Sequence, residues 1–213
     1  VGEPYYSFYA YEYAGVDSET GKELYYINKD GSRETTTNSA LANKVIIGNV
    51  DPKVQGGLTN YIGWKFIDFN FTLTYALGGH AYDYATWLQS NGGTYNYLGN
   101  VPSYYKMEDT WQKPGDNAKL PQFAYGNKNI QSSRWMMSTN HLRLKNMTVG
   151  FTLPQNWIRK AGIEKLRAYI SGNNLLTWKS KDLYVDPEVP VDGLCTFETP
   201  SLRTVTFGIE LGF

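Results

Sequence analysis

The sequence predicts an all-β protein built from antiparallel strands, each with one apolar and one polar side. The clearest strand is the last stretch, residues 202–213, where apolar side chains occupy every second position. These side chains are Val205, Phe207, Ile209, Leu211 and Phe213. Successive side chains of a strand point to opposite faces, so Thr204, Thr206 and Glu210 lie on the other face. Such a strand suits a soluble sandwich or a membrane-spanning barrel.

A longer alternation covers residues 67–77, about the length that a tilted strand needs to cross a bilayer. Its apolar face consists of Ile67, Phe69, Phe71, Leu73, Tyr75 and Leu77. The opposite face carries Asp68, Asn70, Thr72 and Thr74. A packed soluble core would leave those polar groups without water or partners. We therefore expect the first face to contact lipid and the second, like Thr204, Thr206 and Glu210, to line a wet lumen.

Two further strands are expected between residues 141 and 178. Their apolar side chains, all expected to face lipid, are Met147, Val149, Phe151, Leu166, Ala168 and Ile170. Leu142 and Leu144 fall in the opposite phase, which predicts either a β-bulge or a change of environment near Lys145 and Asn146. The segment 154–162 begins with proline and ends with glycine, which is typical of one or two helical turns.

The expected connections alternate in length along the chain. A hairpin over 56–77 turns around Gly63–Lys65, and residues 140–213 hold the last three strands, with a short link at 154–163. The segments 1–55, 78–139 and 179–201 are long, with short helices expected at 83–90 and 105–112. Short turns at one end and long loops at the other are the plan of outer-membrane barrels. About five strands cannot close a barrel, so the chain is expected to form one wall of a larger one.

Composition excludes some classes of function. The 213 residues carry 20 basic and 20 acidic side chains, a balance that argues against a nucleic-acid partner. Tyr, Phe and Trp number 18, 9 and 6, and such residues suit wet interfaces, membrane girdles and sugar faces. Mean hydropathy is -0.46, and no apolar run is long enough for a transmembrane helix. The single cysteine, Cys195, allows no internal disulfide.

Several blocks resemble, in order, the carboxy-terminal end of the SusC/RagA family of TonB-dependent outer-membrane transporters. They are residues 141–154 (HLRLKNMTVGFTLP), 166–178 (LRAYISGNNLLTW), 186–188 (DPE) and 203–213 (RTVTFGIELGF). Shorter blocks upstream match as well: 13–17 with 20–21, 47–49 with Pro52, and 56–60. The resemblance covers nearly the whole chain and depends on the order of the blocks, since no single block would suffice.

The resemblance implies a plugged barrel of roughly 22 strands, the size of outer-membrane transporters. It implies import of oligosaccharides, or in some members peptides, driven by TonB and assisted by a SusD-like surface lipoprotein. The plug and the TonB-contacting segment lie amino-terminal in this family and are expected to be absent from these residues. A periplasmic carboxy-terminus would make 1–55, 78–139 and 179–201 extracellular. The remaining strands of the transporter and outer-membrane lipid would then surround the chain.

Two groups of residues are candidates for function. The terminal apolar positions, Val205 to Phe213, resemble the signal read by the barrel assembly machinery; the alternative is a lipid-facing strand that simply ends there. Loop aromatics could contact a ligand or the lid protein, although packing within the loop is favoured for any one of them. These aromatics are Tyr82, Tyr84, Trp87, Tyr104, Tyr105 and Trp111.

Nothing in the sequence predicts catalysis, a cofactor or a metal. His80 and His141 show no metal-ligand spacing, and Cys195 has no nucleophile signature around it. Asp186 and Glu188 are too few for calcium, and a glycosidase pair would also need a cleft. The rival to a transporter is a soluble, aromatic-rich β-sandwich that binds glycans. That alternative does not explain the polar second face of 67–77 or the long loops.

Overall fold

We describe a computed structural model that covers residues 2–90, 103, 106–124 and 130–213. The chain divides into two compact units. The sheet unit comprises Pro52–Gly79, Thr139–Glu188 and Thr199–Phe213. The loop unit comprises Val1–Asp51, His80–Ser138 and Val189–Glu198.

Strands dominate the described residues. In chain order they are β1 (Ser7–Ala10), β2 (Tyr13–Val16), β3 (Glu23–Tyr26), β4 (Thr35–Thr36), β5 (Val45–Asn49), β6 (Val54–Trp64), β7 (Ile67–Leu77), β8 (His80–Asp83), β9 (Met136–Ser138), β10 (His141–Thr152), β11 (Lys165–Lys179), β12 (Leu194–Cys195) and β13 (Thr204–Gly212). Helices α1 (Tyr84–Gln89) and α2 (Gln155–Ile158) are short. Single 3-10 turns occur at Ser39–Leu41, Met107–Asp109, Ser133–Trp135 and Arg159–Ala161.

The sheet unit contains one five-stranded antiparallel sheet in the order β13-β11-β10-β7-β6. Its long strands pair in the order in which the chain makes them, which is an up-and-down arrangement. β6 and β7 are joined by two residues, Lys65 and Phe66, and β10 and β11 by a link containing α2. The predicted antiparallel all-β fold is therefore confirmed, and these five strands form an open wall.

The predicted β-bulge in β10 is confirmed. Opposite β7, Leu144 pairs with Leu73 and Asn146 with Thr72, so Lys145 is the extra residue of β10. Opposite β11, Leu144 pairs with Leu176 and Asn146 with Asn173, so Asn174 and Leu175 both face Lys145. Across the bulge, Leu144 pairs with Leu73 and Met147 with Phe71. Because paired residues share a face, the bulge brings the out-of-phase leucines to the same side as the rest of the strand.

The two short connections have different structures. The hairpin turn lies at Lys65–Phe66 rather than around Gly63–Lys65, because β6 continues through Trp64. Lys65 has φ +52°, a left-handed conformation usually supplied by Gly, Asn or Asp in hairpins. The helical link of 154–162 is confirmed: α2 begins after Pro154, and Gly162, with φ +73°, ends the following 3-10 turn.

The loop unit is more regular than its sequence suggests. Among its described residues the strands form three small sheets, β1-β5, β2-β3-β4 and β12-β8-β9, and the pairing of β12 with β8 is parallel. The described residues of 78–139 include β8, α1 and β9, so that part of the segment has regular structure. The helix expected at 83–90 is confirmed as α1, whose N-terminal amides are capped by Asp83. The helix expected at 105–112 is wrong: only the turn Met107–Asp109 forms among the described residues there.

In the described part of the loop unit, the core combines aromatic packing with a buried ion pair. Its buried residues include Tyr25, Ala81, Tyr82, Trp135, Met137 and Cys195. Arg134 pairs with Glu23, and each side chain is only 11% exposed. The Tyr25 hydroxyl donates to the same carboxylate. Among the residues described, none of the helices is both long enough and apolar enough to cross a membrane.

Candidate functional site

The pairing registers place the apolar side chains of all five strands on one face of the sheet, here called the apolar face. One row across it runs through Ile62, Phe69, Val149, Ile170 and Phe207. Phe207 and Ile209 at the β13 edge are 78% and 72% exposed. A contiguous apolar surface of this extent requires an apolar environment or a partner.

Every strand residue expected to face lipid lies on the apolar face. On β7, β10 and β11 these are Ile67, Phe69, Phe71, Leu73, Tyr75, Leu77, Met147, Val149, Phe151, Leu166, Ala168 and Ile170. On β13 they are joined by Val205, Phe207, Ile209 and Leu211, and Phe213 follows the end of that strand. The sheet brings the two sets together; their contact with lipid remains a prediction.

The opposite side of the sheet, here called the polar face, carries the residues expected to line the lumen. These are Asp68, Asn70, Thr72, Thr74, Thr204, Thr206 and Glu210. Neighbouring strands are linked there by side-chain hydrogen bonds. Asn146 donates to Asn173 at 2.9 Å, Asn173 donates to Thr204 at 3.2 Å, and Thr148 and Ser171 are 2.8 Å apart. This face is therefore organised by polar contacts and suits water rather than lipid.

A charge pair spans two strand spacings on the polar face. Arg167 of β11 donates to both carboxylate oxygens of Asp68 on β7, at 3.0 and 2.6 Å. The strand between them contributes Gly150, where a Cβ atom would collide with both partners. Glycine at this position is what lets the guanidinium reach across β10. Lys165 adds a 2.6 Å ion pair with Glu210 beside it.

A second charge cluster, here called the Arg143 cluster, joins β10 to the connection after β11. The Arg143 side chain is 3% exposed and donates to Asp186 at 2.6 Å. It also donates to the Thr177 hydroxyl at 3.2 Å, and its Nη1 lies 3.0 Å from Glu188, an ion-pair contact without hydrogen-bond geometry. Lys145, the bulge residue, binds both Glu188 oxygens at 2.6 and 2.8 Å. The two carboxylates thus neutralise basic groups of β10.

The protonation of Asp186 follows from these contacts. Burial alone would raise the pKa of its carboxyl. Hydrogen bonds from the Glu188 backbone amide, from Arg143 and from the Ser201 backbone amide outweigh burial and lower the pKa below its usual value. Asp186 is therefore charged at neutral pH, as its pairing with a buried guanidinium requires. From the sequence, Asp186 was weighed as a metal ligand or catalytic group and neither role was supported. Its pairing with Arg143, 43 residues away in the sequence, was not predicted.

The loop aromatics have different environments. Tyr82 is 5% exposed and packs near Phe8 in the core of the loop unit, so its ring is not offered at the surface. Trp111 lies against Gly21 and donates its indole N–H to the Ser18 carbonyl at 2.8 Å, which favours a packing role.

One aromatic pair remains half-exposed. Tyr84 and Trp87 lie one helical turn apart on α1, with ring centroids 5.0 Å apart and planes inclined by 37°. Together they form a tilted aromatic surface of the kind that contacts sugar rings or protein side chains. Tyr104 and Tyr105 lie outside the described residues.

The sequence of this chain is similar to those of TonB-dependent receptors. No family model matches the chain. It is similar to TonB-dependent receptor P3 of Formosa agariphila, with 31% identity over 238 residues, covering 100% of this chain and 22% of the relative. TonB-dependent receptor P26 of the same organism is 23% identical and covers 88% of the chain and 19% of that relative. The chain thus spans about a fifth of these relatives.

Solved structures agree with the sequence relatives. The RagAB peptide transporter matches with a TM-score of 0.81 and 26% identity, over 97% of this chain and 23% of that one. The RagAB peptide importer in its open-open state gives a TM-score of 0.82 at 26% identity, over 97% and 22%. The fold and the sequence together define a piece of a TonB-dependent receptor. Specifically, the chain belongs to the SusC/RagA type, as the resemblance in its terminal blocks predicted.

Proposed function

We propose that this chain is part of the barrel wall of an outer-membrane importer that takes up oligosaccharides or peptides. The observation that carries the proposal is the two-sided sheet, apolar along one face and hydrogen-bonded by polar groups along the other. A wall between lipid and a water-filled lumen needs this division. The similarity to TonB-dependent receptors and to a peptide transporter supports import as the activity.

The strand dimensions are consistent with a membrane wall. β7 has 11 residues, which at about 3.4 Å per residue and a tilt of about 45° spans roughly 25 Å. That height is close to the apolar band of outer-membrane barrels, about 25 Å. In this proposal the first and last strands of the wall, β6 and β13, pair with strands outside this chain, which close the roughly 22-stranded barrel around a plug.

The partners and the orientation belong to the same proposal. The carboxy-terminus is periplasmic, and the segments 1–55, 78–139 and 179–201 are extracellular. A SusD-like surface lipoprotein contacts these segments, and TonB supplies energy through a region amino-terminal to this chain. Among the candidate aromatics with described positions, Tyr84 and Trp87 are the best placed for a ligand or the lid protein, because their rings are half-exposed.

The import proposal can be tested on the intact receptor in its native cells. We expect it in outer-membrane fractions, with heat-modifiable migration on gels. Deleting its gene should abolish uptake of a labelled oligosaccharide or a labelled peptide, and comparing the two identifies the substrate class. A receptor that is soluble and monomeric without detergent would refute the proposal and favour the glycan-binding sandwich.

We also propose that the terminal positions Val205, Phe207, Ile209, Leu211 and Phe213 serve as the assembly signal. Phe213 follows the strand and is 84% exposed, which leaves it accessible for recognition. Deleting Phe213 or changing it to Asp should lower the amount of assembled receptor in outer membranes. The matched control is Phe123→Asp, at an exposed aromatic residue of the loop unit. Unchanged assembly of both Phe213 variants would contradict the signal.

A further inference from the structure

The link between β10 and β11, residues 153–164, presents a groove at its surface. The groove has a volume of about 580 Å³ and is lined by Gln155, Asn156, Arg159 and Lys160. These four side chains are exposed, and within the described part of the chain none of them makes a hydrogen bond or an ion pair. The groove, here called the link groove, therefore offers two cationic groups and two amides to a ligand from outside the chain.

The charge of the link is one-sided. Residues 153–163 contain Arg159 and Lys160 and no acidic residue, and Glu164 is the first carboxylate that follows. A guanidinium binds phosphate oxygens through paired N–H donors, and an ammonium binds them as a compact charge. The amide groups of Gln155 and Asn156 can donate to further oxygens. This set of donors matches an anion with several acceptor oxygens, as a phosphate has.

The link groove lies at the turn end of the five-stranded sheet. The Leu153 backbone N–H donates to the Leu166 carbonyl at 2.8 Å, where β10 passes into the link. The neighbouring Thr152 N–H donates to the carbonyl of Phe66, in the β6–β7 turn, also at 2.8 Å. The link and that turn therefore bound the apolar face at the same end.

Exposed tryptophans mark this end of the sheet. Trp64 pairs with Ile67 on the apolar face and is 65% exposed. Trp157, in α2, is 68% exposed, whereas the next residue, Ile158, is buried. Tryptophan combines an apolar ring with one N–H donor, and it is enriched where the hydrocarbon of a bilayer meets water. A basic groove beside such residues lies where phospholipid headgroups are expected.

We propose that the link groove binds the phosphate of a phospholipid headgroup at the membrane surface nearest to this end of the sheet. Arg159 and Lys160 pair with the phosphate, the two amides donate to its oxygens, and Trp157 lies among the adjacent headgroups. The inference rests on the proposed function, because a sheet that stands in a bilayer brings the groove to headgroup depth. It adds a lipid ligand that import itself does not require.

A photo-crosslinking residue beside the groove tests the proposal on the intact receptor in detergent micelles. Ala161→p-benzoylphenylalanine places the probe at an exposed position next to Lys160 and outside the groove lining. Graded phosphatidylglycerol is added, and the yield of crosslinked lipid at this position reports occupancy. Combining Arg159→Gln with Lys160→Gln should raise the half-saturating lipid concentration at least about tenfold. An unchanged value would overturn the proposal.

A matched control separates the groove from overall charge. Lys29→Gln with Lys113→Gln removes two exposed cations of the loop unit and should leave the half-saturating concentration unchanged. An equal rise in this control would show a general electrostatic effect and contradict a site in the link. Inorganic phosphate at the same concentration as the lipid should not reduce crosslinking, because it lacks the acyl chains. Full competition by inorganic phosphate would instead assign the groove to a free anion.

Crosslinking in native cells decides the question even if the groove variant fails to assemble, because the probe is then carried by a receptor with an intact groove. A phospholipid should be the crosslinked species, and a protein in its place would overturn the lipid assignment. The failures of the two proposals can be told apart. A receptor that is soluble without detergent refutes the import proposal, whereas a membrane-embedded receptor without lipid crosslinks at residue 161 refutes only the lipid site.

Discussion

Replacing Val149 by arginine should destabilise the assembled receptor far more than the same change at the neighbouring residue. Val149 lies on the apolar face of β10, between Phe69 and Ile170. Thr148 lies on the polar face, between Asn70 and Ser171. The two positions differ by one residue and share strand and depth, so their comparison isolates the face. A lipid–lumen wall requires the two effects to be unequal.

The expected magnitudes follow from position along the strand. Val149 lies near the middle of β10, which we place near the bilayer midplane. Arginine at that depth costs about 2–4 kcal/mol. Leu142 is on the same face but is the second residue of the strand, where the cost falls to about 0–1 kcal/mol. Thr148→Arg loses the 2.8 Å contact with Ser171, a loss of about 0.5–1.5 kcal/mol.

The assay is equilibrium folding of the intact receptor into phospholipid bilayers across a denaturant series, followed by tryptophan fluorescence. The free energy of unfolding should rank wild type, then Leu142→Arg and Thr148→Arg, and then Val149→Arg well below them. The amount of each variant in outer membranes should follow the same order. Equal losses for Val149→Arg and Thr148→Arg would refute the assignment of the two faces. A loss at Leu142 as large as that at Val149 would refute the dependence on depth.

Three further outcomes are expected. Gly150→Ala should break the carboxylate–guanidinium pair that crosses β10 and lower the free energy of unfolding by about 1–2 kcal/mol; a neutral effect would show that the pair can move aside. Gly21→Ala adds a Cβ 2.5 Å from the Trp111 ring and should cost about 2–4 kcal/mol of local stability by hydrogen exchange. Gly31→Ala, with φ +78° but open space, should cost only about 1–2 kcal/mol, and equal costs would contradict the packing of Trp111. Burial and then nearby carboxylates raise the pKa of the Cys195 thiol to about 12, so alkylation of the folded receptor at pH 8 should be far slower than after denaturation; equal rates would contradict its burial.

The long strands could be predicted because a period of two is a local signal. The alternation of 67–77 and of 204–212 defines both the strands and their faces. The bulge at Lys145 was one of two outcomes predicted there, because Leu142 and Leu144 fall out of phase with Met147; the structure restores a common face through an extra residue rather than a change of environment. The helical link between β10 and β11 could also be predicted locally, because Pro154 favours a helix start and Gly162 a helix end.

Features that depend on distant partners could not be predicted. The Trp111 indole N–H donates to the carbonyl of Ser18, which is 93 residues away in the sequence. Strand β12 has only two residues, too few for its parallel pairing with β8 to show in the sequence. The two turn residues between β6 and β7 are neither glycine nor asparagine. Lys65 takes the left-handed conformation that those residues usually supply. That absence of a turn signal explains why the predicted turn began before the end of β6.

The two faces of the sheet place different requirements on the residues that form them. On the apolar face, neighbouring side chains need only be apolar, so alternation along each strand is sufficient and any one substitution by another hydrophobic residue changes little. On the polar face, each charged group needs a particular partner: Asp68 needs Arg167 and also needs Gly150 to have no side chain between them. Arg143 likewise needs a carboxylate from a connection far along the chain. Substitutions that preserve polarity but alter these partners should therefore damage the polar face, whereas the apolar face should tolerate any change that preserves its apolar character.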